Sequence, residues 1–238
     1  MKVSVVIIAH NEEEHIAACI TSILSQTLRP DEVIVISHNS TDRTAEIANS
    51  YPVTVVPYQG PAGSHYARIR GFEAASGHVV LCIDGDSTAA RNWAETLTHV
   101  LAKPGTVLAG SWVRMRGTLL IEVACLRWFF HTRATGMPAT DFLFGASFGI
   151  RGEHRAQAIE ALRKGAVLSE ELKLPANPDD YWLALFFNTL GTVEVTNRTW
   201  VLATAKERTS WQSLTRSLES YAIRAAILRH LSRHTLSL

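Results

Sequence analysis

Residues 80–87, VLCIDGDS, set two carboxylates, Asp84 and Asp86, on either side of a glycine directly after four apolar residues. Carboxylates that close repel each other unless something positive lies between them. A hard divalent cation such as Mn2+ or Mg2+ answers that need, because it takes carboxylate oxygens and keeps positions open for phosphate. The plain alternative is an acidic surface turn, since so short a motif recurs by chance. A second pair, Asp179-Asp180, follows Pro178 where a helix is expected to open. A carboxylate there can take a proton from a hydroxyl as general base, or simply cap the helix.

These groups need elements to hold them. Residues 3–9 are a continuous apolar, mostly β-branched run, the pattern of a strand covered on both faces. Asn11 offers a helix cap, Glu12 to Glu14 suit the positive end of a helix, and Ile16, Ile20, Ile23 and Leu24 give that helix an apolar face. A strand is expected over 32–37, then a helix capped by Thr41-Asp42 and running to Asn49, and a strand over 53–58. A helix over 64–76, stopped by Gly77 in a left-handed conformation, leads into a fourth strand over 79–83. This alternation predicts an α/β fold, a Rossmann-like, mostly parallel sheet with helices on both faces. Ligands of such sheets gather at the carboxyl ends of the strands. Three strands end in polar clusters, His10-Asn11-Glu12, Ser37-His38-Asn39 and Asp84-Gly85-Asp86, so one crevice can collect them.

After residue 90 the pattern changes. Helix 93–101, strand 107–115, an apolar segment at 119–130, a Gly-punctuated stretch at 142–153, helices over 153–163 and 179–190, a strand over 192–196 and an Arg-bearing helix over 211–234 are expected. With no internal repeat or low-complexity linker, residues 1–238 read as one domain: a nucleotide-binding half (1–90), a variable acceptor-side half (91–200) and a helical segment (201–238).

A chain of 238 residues that is 47% hydrophobic can fill a large core, which argues against disorder. Lys and Arg number 23 against 22 Asp and Glu, so no global field favours nucleic acid. Cys19, Cys82 and Cys125 are far apart within apolar segments and fit reduced thiols in a reducing cytoplasm. The opening MKVSVVIIAHNEEE reads as a first strand and not as a signal peptide. No uncharged apolar run reaches the roughly 18 residues of a membrane span; residues 119–130 are broken by Glu122 and Arg127. Neither G-x-G-x-x-G after the first strand nor G-x-x-x-x-G-K-[ST] anywhere is present, so dinucleotide and P-loop readings fail at their defining positions.

The ordered set VSVVIIAHNEEE, VIVISHNSTDRTAEIA, ARIRGFEAASG, VVLCIDGDS and PDDYWLALFFNTLG resembles the family 2 glycosyltransferases, with their GT-A nucleotide-sugar-binding fold, over residues 3 to about 197. The resemblance implies transfer of one sugar from a UDP- or GDP-sugar, with inversion, to a glycan, lipid or small-molecule hydroxyl. It places Ala9, His10, Asn11, Glu12 and Gly85 around the nucleotide and Arg68 near the donor, where a guanidinium can fork onto phosphate. Asp86 is then the direct metal ligand, and Asp84 reaches ribose or metal through water. Asp179-Asp180 aligns with the family's E-D pair, with Asp180 as base.

His38 departs from the pattern, standing where the family usually has an acidic residue that reads the base; imidazole donates or accepts according to tautomer, so uracil and guanine both stay open. The resemblance also makes Phe144 to Gly149 an acceptor loop in which Gly145 permits close approach; Asp141, outside that resemblance, is a further candidate acceptor contact. Trp128, Phe129 and Phe130 read as core, and His131 and His154 are not assigned to metal. The family's Q-x-x-R-W motif is missing, which disfavours polymer synthesis. The Arg-bearing helix over 211–234 can lie on an anionic membrane, a core-packed helix being the commoner alternative; with the reduced thiols, the expected location is cytoplasmic, with peripheral contact at the inner membrane face as the membrane variant of that reading. Two alternatives remain: a non-catalytic nucleotide-binding scaffold, and a sugar-phosphate nucleotidylyltransferase, which needs a basic Gly-rich loop where this chain has His-Asn-Glu-Glu-Glu.

Overall fold

A computed structural model of the chain describes residues 1–116, 146–174, 179–204 and Ile227. Strand β1 (Val3–Ala9) is buried at every position. Helix α1 (Ile16–Leu24), β2 (Glu32–His38), α2 (Thr44–Asn49), β3 (Thr54–Tyr58), α3 (Ser64–Ala74) and β4 (Val79–Asp84) follow in alternation. Beyond them come β5 (Ser87–Ala89), α4 (Trp93–Leu101), β6 (Thr106–Arg116), β7 (Ser147–Arg151), α5 (Arg155–Glu171), α6 (Asp179–Leu190) and β8 (Thr192–Thr204).

The strands form one sheet in the order β3-β2-β1-β4-β7-β6-β8-β5. β1 lies parallel to both β2 and β4, with Val6 opposite Ile34 on one side and Cys82 on the other. The chain runs outward from β1 to β2 and β3, then returns to the other side of β1 for β4. That reversal opens a crevice beyond the carboxyl ends of β1 and β4. β7 is antiparallel to β4, so the two halves of the chain share a sheet.

Alternation along the strands sorts the core onto two faces. Val3, Val5 and Ile7 pack with Ile16, Cys19, Ile20 and Ile23 of α1 and with Trp93 and Leu97 of α4. Val6 and Ile8 pack on the opposite face with Ala67 and Phe72 of α3, Leu162 of α5 and Leu183 and Phe187 of α6. Ile227 is buried against Tyr181 and Trp182 of α6.

Several local expectations change. Asn11 does not cap α1: its φ is 53°, and its Oδ1 accepts the Thr41 backbone N–H at 2.8 Å, so it joins two loops. At the start of α2 Asp42, and not Thr41, accepts from the Thr44 N–H at 3.0 Å, and Glu13 Oε2 accepts from the Arg43 N–H at 3.1 Å. Gly77 is not a left-handed stop; a Cβ there would lie 2.4 Å from Ser4 Oγ and 2.7 Å from the Ser4 nitrogen, so close approach to β1 selects glycine. Part of the expected acceptor loop is sheet: Phe148 and Gly149 pair with Cys82 and Leu81 of β4. β8 extends to Thr204, and β5, which composition did not signal, pairs with its far end. Phe144, Gly145, Asp141, Cys125, the segment 119–130, His131 and the 211–234 helix (Ile227 apart) lie outside the described residues. Among the described residues no helix is long and apolar enough to cross a membrane.

Candidate active site

A cleft of about 350 Å³ opens at the carboxyl ends of β1, β2 and β4, a volume that suits a small-molecule ligand. Ala9, His10, Glu12, His38, Asp84, Gly85 and Asp86 line it, joined by Asn39 and by Ala62, Gly63 and Ser64 before and at the start of α3. The strand ends therefore deliver to one place seven of the residues picked from sequence. The 62–64 wall was not foreseen; its signal is the turn-forming Gly60-Pro61-Ala62-Gly63 after β3.

The floor is the turn after β4. The Gly85 N–H donates to the Ile8 carbonyl at 2.8 Å, and a Cβ on Gly85 would lie 3.0 Å from that of Ala9. The turn is thus seated on the end of β1, with Asp84 and Asp86 beside it. Ser87 Oγ donates to Asp86 Oδ1 at 3.1 Å. Burial pushes the Asp84 carboxyl up to about 7; Arg68 opposes the shift, and the like charges of Asp86, Asp179 and Asp180 add to it. With 33% of the Asp84 side-chain surface open, solvent softens the effect of burial, while the like charges around it still push upward. Paired hard oxygens that resist sharing negative charge are the donor set a divalent cation fits. Among the described residues no cluster of three or more His, Cys, Asp or Glu side chains forms a metal cage, so a cation here would draw its remaining ligands from phosphate or water.

The opposite wall is set by two imidazoles. His38 faces the Pro61 carbonyl through Nε2 at 2.9 Å, which assigns the proton to Nε2. Its ring stacks on Tyr58 with centroids 5.2 Å apart. Burial holds its pKa below the ordinary value, the Pro61 hydrogen bond opposing and His10 adding. His10 donates through Nδ1 to the His38 carbonyl at 2.8 Å.

Arg68 has other partners than those expected. It is 2% exposed and does not line the cleft. Its fork meets two carboxylates: Nη2 donates to Asp84 Oδ1 at 3.1 Å and Nη1 to Asp179 Oδ2. Burial would lower its pKa, but the carboxylates of Asp179 and Asp84 outweigh burial and raise it. Asp179 is buried at the first turn of α6, also accepting from Ser64 Oγ at 2.8 Å and, through Oδ1, from the Asp180 N–H at 2.9 Å. Asp180 is half-buried beside it, its Oδ1 accepting from the Tyr181 N–H at 2.8 Å. Neither aspartate lines the cleft, but both act electrostatically on Asp84.

Residues 4–153 match the family described as Glycosyl transferase family 2. The chain is 36% identical over 100 residues to the uncharacterized glycosyltransferase YibD of Escherichia coli strain K12, a match covering 40% of this chain and 29% of that protein. Among solved structures it is similar to Staphylococcus aureus TarS 1-349 in complex with UDP, with a TM-score of 0.59 and 16% identity over 86% of this chain and 61% of that one. It is also similar to glucosyl-3-phosphoglycerate synthase of Mycobacterium tuberculosis in complex with Mn2+, UDP and glucosyl-3-phosphoglycerate. That likeness has a TM-score of 0.57 at 20% identity and covers 100% of this chain and 81% of the synthase. At these identities the structural likeness establishes the fold, GT-A. With the family match spanning residues 4–153 and the carboxylate pair seated at the reversal between β1 and β4, the chain belongs to glycosyl transferase family 2.

Proposed function

We propose that this chain transfers one sugar from a nucleoside diphosphate sugar to an acceptor hydroxyl, with inversion at the anomeric carbon. The observation that carries the reading is the seating of Asp84 and Asp86 on the floor of a nucleotide-sized cleft at the β1/β4 reversal. UDP in TarS, and UDP with Mn2+ in the mycobacterial synthase, support a nucleotide donor and a divalent ion.

Asp86, with Asp84, would hold Mn2+ or Mg2+. Bound there, the ion would neutralise charge on the departing diphosphate. Ala9, His10, Glu12, His38 and Gly85 bound the space for the nucleoside. His38, neutral with its proton on Nε2, keeps Nδ1 as an acceptor, which suits the ring N–H of uracil or guanine.

Asp180 takes the proton of the acceptor hydroxyl as its oxygen attacks the anomeric carbon. The bond from that carbon to the diphosphate oxygen breaks in the same displacement, and the nucleoside diphosphate leaves with the electron pair. The buried pair of Arg68 and Asp179 holds the first turn of α6, which keeps Asp180 in place.

A thermal-shift screen of UDP- and GDP-sugars with and without Mn2+ tests this reading, followed by donor hydrolysis with the best ligand. A sugar nucleotide that raises Tm only with Mn2+ and is slowly hydrolysed is the expected result. Binding with no hydrolysis or transfer would instead indicate a nucleotide-binding scaffold, and no binding at all would overturn the site.

A further inference from the structure

Arg68 is the one described cation that reaches both carboxylate pairs. Its guanidinium spans from Asp84, at the end of β4, to Asp179, at the start of α6. Its Nε is sealed from solvent without a hydrogen-bond partner, and its Cζ lies 5.9 Å from the Phe148 ring centroid. A side chain so enclosed is poorly placed to meet a phosphate in the cleft. Asp179 in turn accepts from Arg68 and Ser64 through Oδ2 and from the Asp180 backbone N–H through Oδ1. One buried cation thus joins the cleft floor to the backbone of the residue assigned as base.

We propose that Arg68 is a positioning residue that couples the cation-binding carboxylates to Asp180, and not a ligand of the donor phosphates. The inference rests on the roles given above to Asp84, Asp86 and Asp180. A charge drawn to Asp84 from the cleft weakens that carboxylate's hold on Arg68 and leaves the guanidinium more fully to Asp179. Loading of the donor side is therefore felt at the first turn of α6, with no contact between donor and helix. Electrostatic coupling of this kind is strongest where the linking ion is buried.

The first test needs no activity. Removing Arg68 leaves Asp179 buried and unpaired, so neutralising Asp179 should help the variant and harm the parent. D179N is expected to lower Tm in the wild type and to raise it in R68M; a shift of the same sign in both backgrounds would overturn the bridge. The second test uses the charge-balanced variant R68M/D179N, which keeps the proposal testable should R68M fold poorly. Calorimetry with UDP and Mn2+ is expected to show affinity weakened by no more than about threefold, since Arg68 competes with the cation for Asp84. Transfer is expected to lose at least about tenfold in kcat with donor KM within about threefold.

A tenfold or greater loss of UDP-Mn2+ affinity would make Arg68 a phosphate ligand and overturn the proposal, as would an unchanged kcat. R68K, which can keep one of the two pairs, is expected to fall between wild type and R68M in kcat. Should wild type bind neither UDP-Mn2+ nor GDP-Mn2+, the proposed function fails, while the reversal in Tm still decides the bridge.

Discussion

The backbone N–H of Gly85 donates to the carbonyl of Ile8 at 2.8 Å, lacing the turn between Asp84 and Asp86 to the last residues of β1. Main-chain pairing continues up to that turn, since Ile8 stands opposite Asp84 in the β1/β4 register. The backbone carrying the two carboxylates is thus held by main-chain pairing. In the proposed reaction, a turn held in this way need not be rebuilt as charge develops on the leaving diphosphate.

In the proposed site, cation binding turns on Asp86. In Asp86→Ala the stabilisation by UDP together with Mn2+ should disappear; in the wild type it should reach about 2.7 kcal/mol at a ligand concentration of one hundred times Kd. Melting curves with UDP, with Mn2+ and with both check this, and an undiminished joint effect in the variant would remove Asp86 from the site.

In the proposed reaction Asp180 takes the proton of the acceptor hydroxyl. Asp180→Asn should lower kcat by about 10²–10⁴, the usual worth of general-base help, while UDP-Mn2+ affinity stays near the wild-type value. Steady-state transfer kinetics beside calorimetry separate the two quantities. Turnover at the wild-type rate would exclude it as base.

Glu32 gives the fold an acid-sensitive staple at the end of the sheet away from the cleft. Partial burial would raise its pKa, but hydrogen bonds from Ser4, Ser76 and Lys2 outweigh burial and hold it at about 2, against 4.5 ordinarily. A carboxylate depressed in the folded state stabilises fully above the unfolded value and loses its contribution as pH falls through the folded one. Wild type should therefore exceed Glu32→Gln in stability above pH 4.5, with the gap closing between pH 4.5 and 2. Urea denaturation of both proteins across that window measures it.

Gly71 lets α3 lie directly on β1. A Cβ at Gly71 would fall 2.2 Å from Val6 Cγ1, and Val6 is wholly buried. Gly71→Ala should cost about 1–3 kcal/mol by overpacking, despite the better helix propensity of alanine. A lowered urea midpoint with an unchanged m-value is the expected signature.

Much of the donor side was legible in the chain itself. Unbroken apolar runs ending in His10-Asn11-Glu12, Ser37-His38-Asn39 and Asp84-Gly85-Asp86 announce parallel strands and place their polar ends together, because parallel strands are buried on both faces and share one exposed edge. Local detail was less accessible. Asn11 and Gly77 carry the residue types of helix ends, yet one bridges two loops and the other makes room for Ser4, and both roles depend on neighbours remote in sequence. Residues 147–149 are expected in a loop because the resemblance places an acceptor loop there, and only the sheet register reveals their pairing with β4.

The sequence by itself determined the alternating core, the carboxylate pair after the fourth strand and the family, since each rests on residue type and short spacing. Only the tertiary structure decided which partners Arg68 has. Its helix position fits a phosphate ligand as well as a solvated charge, and an ion pair with Asp179, 111 residues away, arises only when α3 and α6 pack on the same face of the sheet.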